Sequence, residues 1–283
     1  MIRATLAGVT LGDGLDVAVM GALNVSPESF YAGSVVSGRD QLLGAAEAMV
    51  RAGAALVDVG AMSTAPYLSA AVSPSEEADR LGMAVELLVS KLDVPVSADT
   101  SRAQPARAAL EAGARVINDV TGLTGDSELA SLVAAAGAGL IVMASDRGAP
   151  HADRPMAAVL ALLGESHRLA LAAGIPAERI VVDPGIGFFR RQALPWHEWD
   201  CRVLAELHLL RQLERPICVG VSRKSFIGAL SGQPDPGARL PGSLAATAAA
   251  VLGGAHLIRC HDVAETIQAV RVAQAIRNAG EGR

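Results

Sequence analysis

The stretch PVSADTSRAQPARAALEAGARVINDV, Pro95 to Val120, decides the fold. It opens on a run, Pro95–Thr100, that is mostly apolar, Ser97 apart, until it ends on Asp99 and Thr100. An amphipathic segment, Gln104–Ala112, follows and stops at Gly113. Glycine ends helices there because it enters the left-handed region without steric cost. A second apolar run, Val116–Val120, carries Asn118 and Asp119 near its end. Strands apolar along both faces are buried on both faces, as in parallel sheets. The stretch therefore reads as one strand–helix–strand unit.

The unit repeats outward in both directions, with a strand about every 25 to 40 residues. Further strands are expected at Val17–Asn24, Leu56–Ala61, Gly139–Ser145, Ile180–Gly185, Ile217–Ser222 and Leu257–Cys260. Helices are expected at Asp40–Ala52, Pro74–Leu92, Ser127–Ala136, Met156–Ala173, Trp199–Leu213, Gly242–Gly253 and Asp262–Ala279. Gly53, Gly137 and Gly174 repeat the helix stop. Eight alternating pairs in 283 residues predict an α/β fold, a closed (β/α)8 TIM barrel forming a single domain over 1–283. The rival is an open doubly wound sheet, which usually shows GxGxxG after its first strand. No such motif is present. Residues from about Ile2 to Leu15 hold two glycine turns and are expected to close the barrel bottom as a hairpin.

Composition narrows the function. The net charge of −5 argues against nucleic acid, which needs a basic face. Two uncharged runs, Leu129–Ser145 and Leu240–Ile258, are broken by glycine, so no membrane span is expected despite the positive mean hydropathy. No basic segment with an apolar core opens the chain, so export is not expected. Cys201, Cys218 and Cys260 lack metal spacing and fit reduced thiols of a cytoplasmic protein. Only 3% of residues are aromatic, and all eight are expected in loops at one face, none in the barrel interior. They are Phe30, Tyr31, Tyr67, Phe188, Phe189, Trp196, Trp199 and Phe226. Lysine is scarcer still: Lys91 and Lys224 are the only two.

Barrel chemistry sits at the C-terminal strand ends. There the strands deliver, in order, Asn24; Asp58 with Ser63 and Thr64; Asp99; Asn118 and Asp119; Met143 and Ser145; Asp183; Ser222, Arg223 and Lys224; and Arg259 with His261. Buried carboxylates and amides cost desolvation unless paired, so a ring of them implies a binding site. Asp99, Asn118, Asp183 and Lys224 suit a flat polar heterocycle. Asn24, Thr64, Arg259 and His261 suit a phosphate group, with Asn24 able to ligate Mg²⁺. Lys224 can also be read as a Schiff-base amine, with Arg223 lowering its pKa.

These residues lie in segments that resemble the dihydropteroate synthases, a pterin-binding barrel family. The segments are MGALNVSPESF (20–30), GAALVDVGAMSTAP (53–66), SADT (97–100), GARVINDVTG (113–122), VDPGIGF (182–188), VGVSRKSFIG (219–228), GSLAA (242–246) and IRCHDVAET (258–266). The resemblance implies a transferase of folate biosynthesis, condensing 6-hydroxymethyl-7,8-dihydropterin diphosphate with 4-aminobenzoate and releasing diphosphate. It implies that Asp99, Asn118, Asp183 and Lys224 hold the pterin, with Met143 on its face. Asn24, Thr64, Arg259 and His261 would hold the diphosphate with Mg²⁺, Asn24 being the metal ligand. Pro66, Phe188 and Ser225 would border the aryl amine. Asp99, Lys224, Arg259 and His261 are the implied catalytic set. The partners implied are the two small molecules and a second copy, in a homodimer through the last helices.

Three loops depart from the family pattern. Ala65 stands where an arginine is usual, Met143-Ala144-Ser145-Asp146 replaces Met-His-Met-Arg, and Phe189-Arg190-Arg191 follows Phe188 in place of Gly-Lys. Three readings stay open: an ordinary synthase with Arg190 or Arg191 replacing the lost arginine; the same donor with another aryl amine, such as the ribofuranosylaminobenzene phosphate of methanopterin synthesis; or a pterin-binding homologue without synthase activity.

Overall fold

The computed structural model describes residues 1–25, 38–62, 72–146 and 154–281. Within them a hairpin, β1 (Arg3–Leu6) and β2 (Val9–Gly12), precedes an eight-stranded parallel sheet. Its strands are β3 (Ala18–Asn24), β4 (Leu56–Gly60), β5 (Val96–Asp99), β6 (Val116–Asp119), β7 (Gly139–Met143), β8 (Ile180–Asp183), β9 (Cys218–Gly220) and β10 (Leu257–Cys260). They neighbour one another in sequence order, and β10 returns to pair with both β9 and β3. A parallel bridge from Val182 to Ile217 joins β8 to the β9 side and closes the barrel. The glycine stops behave as expected: Gly53, Gly113, Gly137 and Gly174 all have positive φ.

The helices alternate with the strands: α1 (Arg39–Ala52), α2 (Pro74–Val89), α3 (Ala103–Glu111), α4 (Leu129–Ala135), α5 (Pro155–Ala172), α6 (Trp196–Ala205), α7 (Ser225–Ser231), α8 (Leu240–Leu252) and α9 (Val263–Glu281). Two differ from expectation. The helix expected over Trp199–Leu213 starts at Trp196 and ends at Ala205; a 3-10 stretch, Leu207–Leu213, continues it. Helix α7 was not foreseen, because seven residues are too few to show a helical period.

The hairpin plugs the barrel bottom. Leu6 and Leu11 are fully buried and cluster with Met20, Leu56, Val116, Ile141, Val181, Cys218 and Leu257. Gly139 makes room for it, since a Cβ there would lie 2.7 Å from Leu6 Cδ2. At the opposite end, register places Asp99 beside Asn118 and Met143 beside Asp183.

None of the described aromatics joins the cluster inside the barrel. Phe189 and Trp199 are fully buried and stacked, with centroids 4.8 Å apart, and Phe226 is buried as well. Large rings bury the most apolar area, and these three pack into the main apolar cluster, Trp199 from α6 and Phe226 from α7. Phe188 and Trp196 stay half-buried. Phe30, Tyr31 and Tyr67 lie outside the described residues. Among the described residues no helix is long and apolar enough to cross a membrane.

Truncating Leu11 to Ala should lower unfolding free energy by ~2–5 kcal/mol, because the plug cannot collapse onto the gap. Denaturant midpoints check this, and kcat/KM should not move, the site being at the far end.

Candidate active site

The polar strand ends converge on one guanidinium. Arg259, on β10, donates Nε to Asp58 Oδ2 at 2.6 Å and Nη2 to Asp99 Oδ2 at 2.8 Å. Asp58, on β4, is completely buried, and its other contacts are Ser97 Oγ at 2.6 Å and Asn118 Nδ2 at 3.0 Å. Each of the carboxylate's oxygens thus accepts at least one donor, which offsets the cost of burial. Asp58 ties β4, β5, β6 and β10 into one network. It was visible at a strand end, but nothing in the sequence showed that it holds two other site residues.

Asp99 is buried, and burial pushes its carboxyl up to about 7, against the pull of Arg259. Burial acts to lower the Arg259 pKa, but Asp58 and Asp99 hold it above the ordinary guanidinium value. Asp183, at the end of β8, has its pKa raised by burial, and its Oδ1 accepts the Gly185 N–H at 2.8 Å. Met143 is buried beside it.

Loop geometry sets the other side. Arg223 adopts φ +56°, a left-handed backbone conformation. It donates twice to Asp262 and also to the carbonyls of Pro236 and Gly237. Its role is to lock the β9–α7 turn. The expectation that Arg223 lowers the Lys224 pKa is therefore corrected: burial does so, to about 8, against Asp183 and Asp200. Lys224 donates Nζ to the Ile186 carbonyl and lies 4.8 Å from the Phe188 ring centroid. Those contacts describe an anchored ammonium, not a free amine.

His261 shares a 2.9 Å hydrogen bond between Nδ1 and Ser222 Oγ. Burial, then Arg259, lowers its pKa to about 3, so its ring is neutral and can only act as a hydrogen-bond donor or acceptor. Asn24 sits half-buried at the end of β3. Arg190 places its guanidinium on Ser225 Oγ, on the Gly187 carbonyl and 4.1 Å over the Trp196 ring. Asp146 accepts the backbone N–H groups of both Arg190 and Arg191. Two of the three departing loops thus brace each other. Of the two arginines, Arg190 joins the site, while Arg191 is exposed. Thr64 and Pro66 lie outside the described residues.

Asp99 bonds Arg259 directly, Asn118 shares Asp58 with it, and Asp183 and Lys224 interact with it electrostatically, so the four gather at one end of the barrel around a single guanidinium. The profile of a family described as pterin binding enzyme matches residues 20–261. The chain belongs to the dihydropteroate synthase family. A dihydropteroate synthase of Synechocystis is 38% identical over 277 residues, covering 95% of this chain and 93% of that protein. The crystal structure of the Yersinia pestis synthase with a sulfonamide drug complex superposes at TM-score 0.87 with 34% identity, covering 98% of this chain and all of that one. A Xanthomonas albilineans synthase solved with 4-aminobenzoic acid is 36% identical at TM-score 0.86, covering 97% and 98% of the two chains.

Within the dihydropteroate synthase barrel, Asp58 is the residue whose loss should be felt most widely. Asp58→Ala should cost ~3–5 kcal/mol of stability, since it takes one of two carboxylates from a partly buried guanidinium and leaves buried Ser97 and Asn118 without their acceptor. It should also abolish ligand binding, as Asn118 and Arg259 lose their common partner. Thermal denaturation and ligand titration check both effects.

Proposed function

We propose that this chain, as a single-domain enzyme of the cytoplasm, joins 6-hydroxymethyl-7,8-dihydropterin diphosphate to 4-aminobenzoate and releases diphosphate. The observation that carries this reading is the Asp99–Asn118–Asp183–Lys224 set held in one well with Arg259. Asp99, Asn118 and Asp183 supply acceptors and a donor to the edges of a flat heterocycle, and Lys224 adds a directed ammonium. Met143, buried at the same level, packs on the ring face. Phe188, Ser225 and Pro66 border the second substrate and Thr64 serves the diphosphate, Pro66 and Thr64 lying outside the described residues.

The chemistry needs little more. The amine nitrogen's lone pair forms the C–N bond at the pterin methylene carbon. The C–O bond breaks, its electron pair leaves on diphosphate, and the amine sheds one proton. Positive charge grows on the pterin side and negative charge on the leaving group. Electrostatic stabilisation is therefore the main demand. Asp99 faces the developing cation, while Arg259 and the donor edge of His261 serve the diphosphate. An aryl amine is nucleophilic as it stands, so no activated base is required.

Among the described residues no three His, Cys, Asp or Glu side chains form a metal cluster. Asn24, half-buried at the end of β3, offers one neutral amide oxygen, which fits Mg²⁺ brought with the substrate, since that ion typically binds through substrate phosphates and few protein oxygens. Asn24 is the residue that would hold it. When bound, Mg²⁺ neutralises charge on the leaving group.

An apolar groove runs between α8 and α9: Leu252, Val272 and Ile276 along it are about half or more accessible, with Glu265 and Gln268 at its edge. We read this face as the contact with a second copy. Sedimentation equilibrium should give twice the chain mass, with Ile276→Arg shifting it to one; a single-chain mass for the native protein would refute the contact.

The test of the activity is diphosphate release from the pterin diphosphate with 4-aminobenzoate. Asp99 is ionised above about 7 and Lys224 charged below about 8, so kcat/KM should fall on both sides of that window. Asp99→Asn should remove the acid limb. Pterin binding without release would leave a different aryl amine or a binding protein.

A further inference from the structure

The peptide between Ile186 and Gly187 is gripped on both of its polar groups. Its carbonyl accepts from Lys224 Nζ, and its N–H donates to Asp200 Oδ1 at 2.8 Å. The C=O and N–H of a trans peptide point in opposite directions. An ammonium and a carboxylate therefore hold one peptide plane from its two sides. Both contacts are charge-assisted, and hydrogen bonds linked in series polarise one another. The negative end of the peptide dipole faces the cation and its positive end faces the anion.

Two further observations single out this plane. Asp200, on α6, is completely buried, and its Oδ2 has no hydrogen-bond partner among the described residues. A carboxylate with one orphan oxygen is costly in a packed joint, and packing alone would be served by an apolar side chain. Gly187 has φ +85°, and a Cβ added there would lie 3.1 Å from Lys224 Cδ. The lysine stem therefore lies directly over the loop. Phe188, whose ring lies beneath the ammonium, is the next residue along.

We propose that Asp200 is a positioning residue for Lys224: it fixes the orientation of the Ile186–Gly187 peptide and, through it, holds the ammonium aimed and charged in the pterin well. The proposal rests on reading Lys224 as the pterin anchor, but its physical core can be measured without ligand. The groups facing the ammonium are Asp183 from β8, Asp200 from α6, Arg259 from β10 and Arg190 from the β8–α6 loop. Asp183 and Asp200 favour its charge, and the two arginines oppose it. Burial raises the Asp200 pKa to about 6, so Asp200 is ionised through the range in which Lys224 works.

The chain has only two lysines, and Lys91 is exposed, so it serves as an internal control for a side-chain nitrogen NMR titration of the ligand-free protein. Asp200→Asn keeps an acceptor oxygen for Gly187 but removes the charge; Asp200→Leu removes both. In both variants the Lys224 midpoint should fall by roughly 1 unit, the effect of losing a nearby opposite charge, while Lys91 stays put. At pH 6.5 the Asn variant should bind the pterin diphosphate within about twofold of native, since the ammonium is still mostly charged there. The Leu variant should bind roughly tenfold more weakly, as a freed peptide no longer aims the ammonium. An unmoved Lys224 midpoint, or equal pterin affinity in the two variants, would overturn the proposal. Should the Leu variant fail to fold, the Asn variant's midpoint still decides it. Should the native protein bind no pterin, the functional reading falls while the titration still tests the link.

Discussion

The site depends on one partly buried cation between two buried carboxylates. Arg259 reaches Asp58 and Asp99 from the strand that closes the barrel, and Asp58 also holds Ser97 and Asn118. Four strands are thereby fixed relative to one another at the end where ligand would enter. A buried ion pair is weak as a source of net stability, because desolvation consumes much of its attraction. Its value here is geometric: a rigid fork with several directed donors leaves few arrangements open to the groups around it.

The second constraint lies across the well. Arg223 and Asp262 lock the β9–α7 turn, which aims Lys224 and Ser225. Asp146, Arg190 and Asp200 tie the β8–α6 loop to its neighbours, and the stacked Phe189–Trp199 pair fills the space behind it. The loops that depart most from the family pattern are thus braced by their own substitutions. Asp146 accepts the backbone of Arg190 and Arg191, and the Arg190 side chain reaches Ser225, which neither departure would suggest if read alone.

Much of this was legible in the sequence. Periodicity located all eight strands to within a residue or two, because strands buried on both faces leave an unbroken apolar signal. The strand-end rule then picked out Asp99, Asn118, Asp183 and Lys224, which the barrel brings together. Helix α7 was not legible, being too short to show a period. The burial of the aromatics was not legible, because a ring just past a strand end can turn outward to solvent or inward under a helix. Their neighbours in sequence are the same in both cases.

By itself the sequence determined the barrel, the ring of polar strand ends and the family, since each is written in local patterns of apolar runs, glycine stops and short motifs. Only the tertiary structure decided who pairs with whom. Asp58 and Arg259 are 201 positions apart, and Arg190 and Ser225 are 35 apart, yet each pair shares a hydrogen bond. Asp200 meets the Gly187 amide while Lys224 meets the carbonyl of the same peptide. Such pairings arise from the closure of the sheet and the direction in which each turn points its side chains. No local pattern encodes a direction in space, so the electrostatics of the site belongs to the fold.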